Sequence, residues 1–580
     1  MKTIAHKVDF CVIGGGIAGI CAALAAARNG LRTILVHDRP VPGGNASSEI
    51  RMWVCGARGE NNRETGIIEE LLLENLYRNP DANYSLWDSV LYGKLREQKN
   101  LLTLLNTSCL HAEMNAGKIA AIRAWELNAE TWHQVEADFF ADCSGDSILA
   151  PLTGAEFRCG REGKDEFNES IAPDRPDCRT MGNSCLIQAR ETPSPQEFIA
   201  PEWARKYQDF EFFRNRGNLG PDAPLQNYWF LEVGGAGDSL HDPARHRDEL
   251  LSIAFGLWDL LKNHPYTRDR YRNWTLEWVG FLPGKRESRR YVGDLIVNQN
   301  DVRSGGLFED IVAYGGWPMD DHHPDGAYHP GAPTIFHPAP SPWGIPYRAL
   351  FSKNIENLFC AGRNISVTHS ALSSSRVMAT CGLLGHAVGV AAALAHRHHV
   401  TPRGVYQKHL AALQQQLMRE DAYLPGRQYE VSTLTKNAII TAGNGHSPEG
   451  LRMGRNRIIN GCDHAWKGRS GDSVTYSLPA PQRIKNIRIV FDSDLNRKQL
   501  NVVAMRPLSF EGLKMPASLV KAFVIEVRAL ECDWQTLYQE NCNHRRVVSL
   551  DTDVLCDEVR LTIHDSWGDK EVRVFSFDIE

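Results

Sequence analysis

Residues 12–19 read "VIGGGIAG", and the fold of the chain follows from how that stretch is read. Gly14, Gly16 and Gly19 have the G-x-G-x-x-G spacing of a phosphate-binding turn, a short signal that gains force from its flanks. "DFCVI" before it is a short apolar strand, and "GICAALAAARNG" after it is an alanine-rich helix ending at Gly30. "RTILVHD" is then a second buried strand, which sets Asp38 about 20 residues beyond the glycines, as the motif requires. In such a βαβ unit Gly14 allows the tight turn, Gly16 lets a pyrophosphate reach the backbone, and Gly19 lets helix pack on strand. Ile17 and Ala18 complete the first helical turn, whose amides face the phosphates, while Asp38 accepts a hydrogen bond from a ribose hydroxyl.

The rest of the chain sets the context. At 580 residues it is too long for one ordinary domain. A net charge of −6 gives no sign of a nucleic-acid partner. Fourteen cysteines without a CxxC pair read as mostly reduced, buried thiols in a cytoplasmic protein, with neither a metal site nor disulfides expected. "MKTIAHK" before an apolar run mimics a signal peptide, but that run is the fingerprint itself. Residues 377–395 are long and uncharged enough to suggest a membrane span. Thr380, His386 and three glycines within them favour a buried helix, so no membrane span is expected.

Alternating strand and helix patterns fill residues 1–155 and return over 345–425, which we assign to one Rossmann-like α/β domain of three-layer (ββα/βαβ) type. Residues 156–344 loosen into Pro-, Trp- and Arg-rich sequence, read as an inserted substrate or cap region. After the linker "REDAYLPGRQ", residues 430–580 alternate apolar and polar positions between turns, which predicts an antiparallel β-sandwich.

NAD would need only the first βαβ unit. Two further segments point to FAD. In "DRPVPGGNASSEIRMW" (38–53), Gly43 and Gly44 let amides approach a ligand that Asn45, Ser47 and Ser48 can hydrogen-bond. "LFCAGRNIS" (358–366) is a buried strand and glycine turn before a helix starting near Met378, whose first amides suit negative charge on a reduced flavin. With "PGKRESRR" (283–290), "AYGGWP" (313–318) and "SSSRVMATCGLLGHAVG", these blocks resemble the FAD-dependent oxidoreductases with two dinucleotide-binding motifs, over residues 8–395. The resemblance implies that Asp38 and Arg39 hold the AMP half and that Gly44 to Arg51 line phosphates and flavin. It further implies that Asp146 and Gly362 close on ribityl and pyrophosphate. The cofactor set is completed by Cys109, Gly145, Arg363 and Ala379. Asp38 stands where glutamate is commoner, with His37 before it. Residues 430–580 resemble discoidin-type galactose-binding-like modules, which either bind carbohydrate or act as structural caps.

For catalysis the flavin does the electron chemistry, and the protein supplies orientation and a base. His369, between the "AGRNIS" turn and the next helix, is the leading base, against a structural histidine. His322 and His323 in "GGWPMDDHHPDG" lie in a loop expected either to cap the site or to be a solvated polar loop, with a metal site alongside the adjacent aspartates the weaker alternative. Arg286, Arg289 or Arg290 is expected to clamp a carboxylate or the flavin, against a salt-bridged surface face, and Trp317 and Trp343 either offer flat faces to a sugar ring or are core tryptophans. The expected reaction is hydride transfer from an alcohol carbon of a sugar, glycoside or other polyhydroxylated small molecule to flavin N5, with the electron acceptor open. The rivals are a nicotinamide-fed flavin reductase of C=C or C=O bonds and a glycan-binding protein with a vestigial flavin. Every FAD-associated block precedes residue 395, so a chain cut near 430 is expected to keep its flavin site.

Overall fold

The first strand, Lys2–Ile13, pairs in parallel with Thr33–Val36 on one side and with Thr131–Asp142 on the other. In the computed structural model, which describes residues 2–529 and 532–580, Leu101–Leu104 extends this parallel sheet past Thr33–Val36. Leu358–Cys360 returns from far along the chain to pair with the end of Thr131–Asp142. The other half of that long strand pairs antiparallel with Lys118–Glu126, which turns back on Thr107–Asn115. A mostly parallel α/β sheet thus gathers the ends of Lys2–Ile13, Thr131–Asp142 and Leu358–Cys360 at one edge. In open α/β sheets ligands sit at the carboxyl ends of such strands.

Alanine and glycine explain how the two central helices meet. Ile17–Arg28 lies on Met378–His398, and an added Cβ at Gly385 would stand 1.9 Å from Ala18 O. One at Gly389 would stand 2.4 Å from Ala22 O, so backbone meets backbone without side chains between. Met378–His398 has the length and composition of a membrane span, but 94% of its most apolar window is buried inside the protein. A helix covered on all sides has no reason to be amphipathic.

The inserted region carries its own core. The helix Pro243–Asn263 packs Leu250, Leu257, Trp258 and Leu261 against Ile187 and Ala189 of the strand Ile187–Glu191. That strand pairs with Trp274–Val279 and, on its other side, with Met505–Arg506. The last pairing departs from the expected organisation.

The chain divides into two compact units at places the sequence does not mark. One holds residues 1–57, 82–413 and 500–512; the other holds 58–81, 414–499 and 513–580. Cofactor domain and inserted region therefore form one unit. The helix Ile67–Arg78, expected with the cofactor domain, belongs to the second, where buried Glu69 pairs with Arg497 at 2.5 Å. Within that unit the strands form one antiparallel β-sandwich. Two long strands, Ser473–Phe491 and Val547–Ser566, run through it and are broken by register shifts between Ser477 and Gln482 and between Ile484 and Asn486.

Candidate cofactor and active site

The fingerprint turn is built as its spacing requires. Gly14 has φ +101°, and a Cβ there would lie 2.5 Å from the Ser144 backbone. A Cβ on Gly19 would be 1.8 Å from Gly14 O. Gly16 differs, because the nearest atom to its Cβ is Gly44 Cα at 4.0 Å, which leaves the space a phosphate needs. Ile17 and Ala18 are buried in the first turn of the helix. Asp38 lies two residues beyond the second strand, Thr33–Val36, with its side chain 53% exposed.

His37, which sequence reasoning noted only as a departure, ties these parts together. Its Nδ1 accepts from Gly15 N at 3.0 Å and its Nε2 donates to Val41 O at 3.1 Å. Burial lowers its pKa to about 4, so the neutral ring can accept at one nitrogen and donate at the other.

The "GGNASSEIR" turn docks on the fingerprint. Gly43 N donates to Gly15 O at 2.8 Å, and Gly43 and Gly44 have φ of +120° and +59°. Arg39 Nη1 and Glu49 Oε2, 3.9 Å apart, are both buried without a hydrogen-bond partner among the described residues. Ser47 and Ser48 are used locally: Ser47 Oγ donates to Gly44 O, and Ser48 N donates to Asp88 Oδ1. Asn45 Nδ2 donates to Lys285 O at 3.0 Å.

Lys285 belongs to a cluster that the sequence did not announce. Asp146 accepts from Lys285 Nζ at 2.8 Å, Arg363 Nη2 at 2.7 Å and Ser288 Oγ at 2.8 Å. Burial works against its ionisation, but Arg363 and Lys285 outweigh burial and hold the carboxyl well below the usual range. Arg363 Nε is buried and unpartnered among the described residues, and Gly145, at φ +76°, has no room for a Cβ beside that guanidinium. Gly362 has φ +108°, and a Cβ added there would stand 3.5 Å from Ala18 Cβ. Glycine turns, an open Gly16 face, orphaned arginine nitrogens and one surplus cation together fit an extended dinucleotide with a diphosphate.

Several expected ligand contacts are engaged elsewhere. Cys109 is a core residue among Cys11, Ile13 and Val36, its thiol pushed up to about 12 by burial. Ala379 N is taken by Cys55 O at 2.9 Å, so it is not offered to a flavin. Arg51, at φ +64°, points away into a stack, its guanidinium 4.3 Å from the Trp278 ring and 5.0 Å from that of Tyr84. Trp343 is fully buried and donates Nε1–H to Ser374 Oγ, and Trp317 Nε1 reaches Asp320 Oδ2 at 3.4 Å.

The histidine assignments change most. His369 does not precede a helix but begins one, His369–Ser375, capped by Thr368 Oγ. Its Nδ1 lies 2.8 Å from Glu287 Oε2, its Nε2 lies 3.1 Å from Asp321 Oδ1, and its amide donates to Glu162 Oε2 at 2.8 Å. Burial opposes a charge here, yet Glu287 and Asp321 outweigh it and raise the imidazole to about 10. His369 is an imidazolium donor, not the neutral base expected. His322 is enclosed in the same way between Glu232 at 2.5 Å and Asp320 at 3.2 Å, and it is fully buried, not part of a polar capping loop. Asp320 and Asp321 are successive on the strand Met319–His322, so they face opposite sides and each holds one histidine. Of Glu162, Arg290, Glu287, His369 and Asp321, only Asp321 reaches solvent, with 23% of its side chain exposed.

Arg286 is buried on the Trp229 ring and bonded to Gly182 O and Ser184 Oγ, and Arg290 is buried between Glu287 and Glu162. Both are therefore anchors within the protein. Arg289 is partly exposed and reaches Asp146 O at 3.4 Å. His323 stacks on His329 with centroids 3.5 Å apart beside Asp325, whose Oδ1 is held by Arg179. These three residues have ligand atoms within 4.8 Å of one another.

Comparison with known proteins follows these lines. Glycerol-3-phosphate dehydrogenase of Mycobacterium leprae and glycerol-3-phosphate dehydrogenase 2 of Mycobacterium bovis are each 38% identical over 69 residues. The match covers 12% of this chain and 12% of theirs, so the chain spans about an eighth of the length of the curated relatives it matches. Among solved structures, a family 32 carbohydrate-binding module from Streptococcus pneumoniae EndoD matches 26% of this chain and 99% of its own, at 14% identity and TM-score 0.20. L-proline dehydrogenase from P. horikoshii matches 28% of this chain and 26% of its own, at 17% identity and TM-score 0.17. The family model described as FAD dependent oxidoreductase matches residues 9–417, which take in the fingerprint turn, the Asp146 cluster and the inserted region; the chain belongs to that family and is an FAD-dependent oxidoreductase.

Proposed function

We propose that the protein oxidises an alcohol carbon of a carbohydrate or related polyhydroxylated compound. FAD, when bound, supplies the two-electron acceptor. The observation that carries the reading is the run Lys285–Arg290, which joins the cofactor loops to an ionisable chain. Lys285 and Ser288 bond Asp146, while Glu287 between them bonds His369. A solvent-reaching carboxylate, Asp321, thus stands at the end of a chain that begins beside the cofactor loops. The imidazole already carries its proton, so the hydroxyl proton passes to Asp321, and His369 holds that carboxylate in place through Nε2–H.

The matched relatives bear the name of a glycerol-3-phosphate dehydrogenase, which accords with an alcohol substrate. In the second unit a cavity of about 400 Å³, lined by Arg469, Asp565, Trp567, Asp569 and Lys570, offers an aromatic ring among hydrogen-bonding groups, the chemistry that suits a sugar. Anaerobic titration of the purified protein with a sugar and polyol panel, NADH and NADPH, followed by loss of visible flavin absorbance, tests the reading. Bleaching by a polyol or sugar supports it. Bleaching by a nicotinamide alone favours a flavin reductase, and a protein that takes up no FAD favours a glycan-binding role.

A further inference from the structure

Residues 500–512 are flanked in sequence by segments of the sandwich unit, yet they belong to the unit that carries the cofactor loops. Four contacts fix them there. Asn501 Oδ1 accepts from the buried amide of Val54 at 2.9 Å, and Val503 O accepts from Gln188 Nε2 at 3.2 Å. Met505–Arg506 pairs in parallel with Ile187–Glu191, and Leu508 N donates to Glu191 Oε2 at 3.0 Å.

One of these contacts ends on the polypeptide that spaces the cofactor elements, and a second reaches it through Gln188. Val54 lies in an irregular stretch held at one end by Met52 N donating to Asn45 O, and at the other by Ala379 N donating to Cys55 O. The first bond reaches the "GGNASS" turn, the second the start of Met378–His398. Residues 51–57 belong to no helix or strand, so their buried amides need partners from elsewhere. Asn501, itself buried, supplies one. Gln188 extends the same support to Arg51, whose Nη1 donates to Gln188 Oε1.

We propose that Asn501 is a positioning residue of the cofactor site. Through Val54 it sets the spacing between the Gly43–Asn45 turn and the Met378–His398 helix, and FAD affinity depends on it although it lies outside every cofactor motif. The inference rests on the assignment of the cofactor loops given above.

The test uses full-length Asn501→Ala and Asn501→Ser, with FAD affinity read from flavin fluorescence quenching and unfolding of the FAD-free forms read by circular dichroism. Stranding a buried amide weakens its segment enough for roughly a tenfold or greater rise in FAD Kd in Asn501→Ala. Asn501→Ser keeps a neutral acceptor oxygen and stays within about threefold of wild type. FAD affinity in Asn501→Ala that matches wild type, or an equal loss in both variants, overturns the proposal. Should Asn501→Ala not fold, Asn501→Leu takes its place, since it removes the acceptor for the Val54 amide at similar volume; unchanged affinity there overturns the proposal as well. A wild-type protein that binds no FAD fails the cofactor assignment itself, which is a separate result.

Discussion

Gly16 and Gly19 look equivalent in the motif but fail differently when changed. Gly16 has φ −70° and ψ 178°, which valine adopts readily, and its Cβ has open space. Gly16→Val should therefore fold normally and purify colourless, because the branched side chain fills the phosphate space. Gly19→Val meets Gly14 O at 1.8 Å and should not fold. Circular dichroism beside flavin absorbance separates the outcomes, and a yellow, folded Gly16→Val would refute the phosphate assignment. At His369 the sign of the pKa shift gives a second prediction. The folded value of about 10 exceeds the ordinary 6.5, so the clamp by Glu287, Asp321 and the nearby Glu162 stabilises fully below pH 6.5 and is lost as pH rises toward 10. Between pH 7 and 10 the wild-type Tm should fall more steeply than that of His369→Gln; parallel curves would mean that the ring is neutral.

Among the elements, the short run Lys285–Arg290 matters more than any helix. Lys285 and Ser288 bond the Asp146 cluster while Arg286, Glu287 and Arg290 join the buried carboxylate chains, so one stretch of backbone ties the two together. Lys285→Met removes one of two cations from Asp146 while the other, Arg363, keeps that carboxylate paired. The fold should survive, and the loss of a charge-assisted bond worth about 1.5–3 kcal/mol should weaken FAD binding by roughly ten- to a hundredfold. Equilibrium dialysis of FAD at low and high salt checks this, with unchanged affinity counting against a cofactor role for the cluster.

For the whole molecule, the division into two units argues against the expectation that a chain cut near residue 430 keeps its flavin. The cut removes residues 500–512 from the cofactor-bearing unit, leaving the Val54 amide and one side of Ile187–Glu191 unpaired. It also strips Arg497 and Ser493 from Glu69, and a buried carboxylate without its partner is strongly destabilising, by about 3–5 kcal/mol. Truncation at 430 should thus give aggregated or flavin-free protein, whereas a soluble, yellow fragment would restore the sequence-based boundary.

What the sequence determined by itself was local. Strand, glycine turn and alanine-rich helix follow from short-range steric rules, so the βαβ unit, its phosphate turn and the alternating strands of the sandwich were legible without a structure. Charge partnership was not. A histidine beside a cofactor turn reads as a base until Glu287 and Asp321, 82 and 48 residues distant, are found on its two nitrogens. The same holds for Cys109 in the sheet core, for Arg51 between two aromatic rings, and for Lys285 on Asp146. Which unit claims residues 58–81 and 500–512 was likewise decided only in three dimensions. Protonation, pairing and domain membership depend on which groups burial brings together, and residue spacing along the chain carries no record of that.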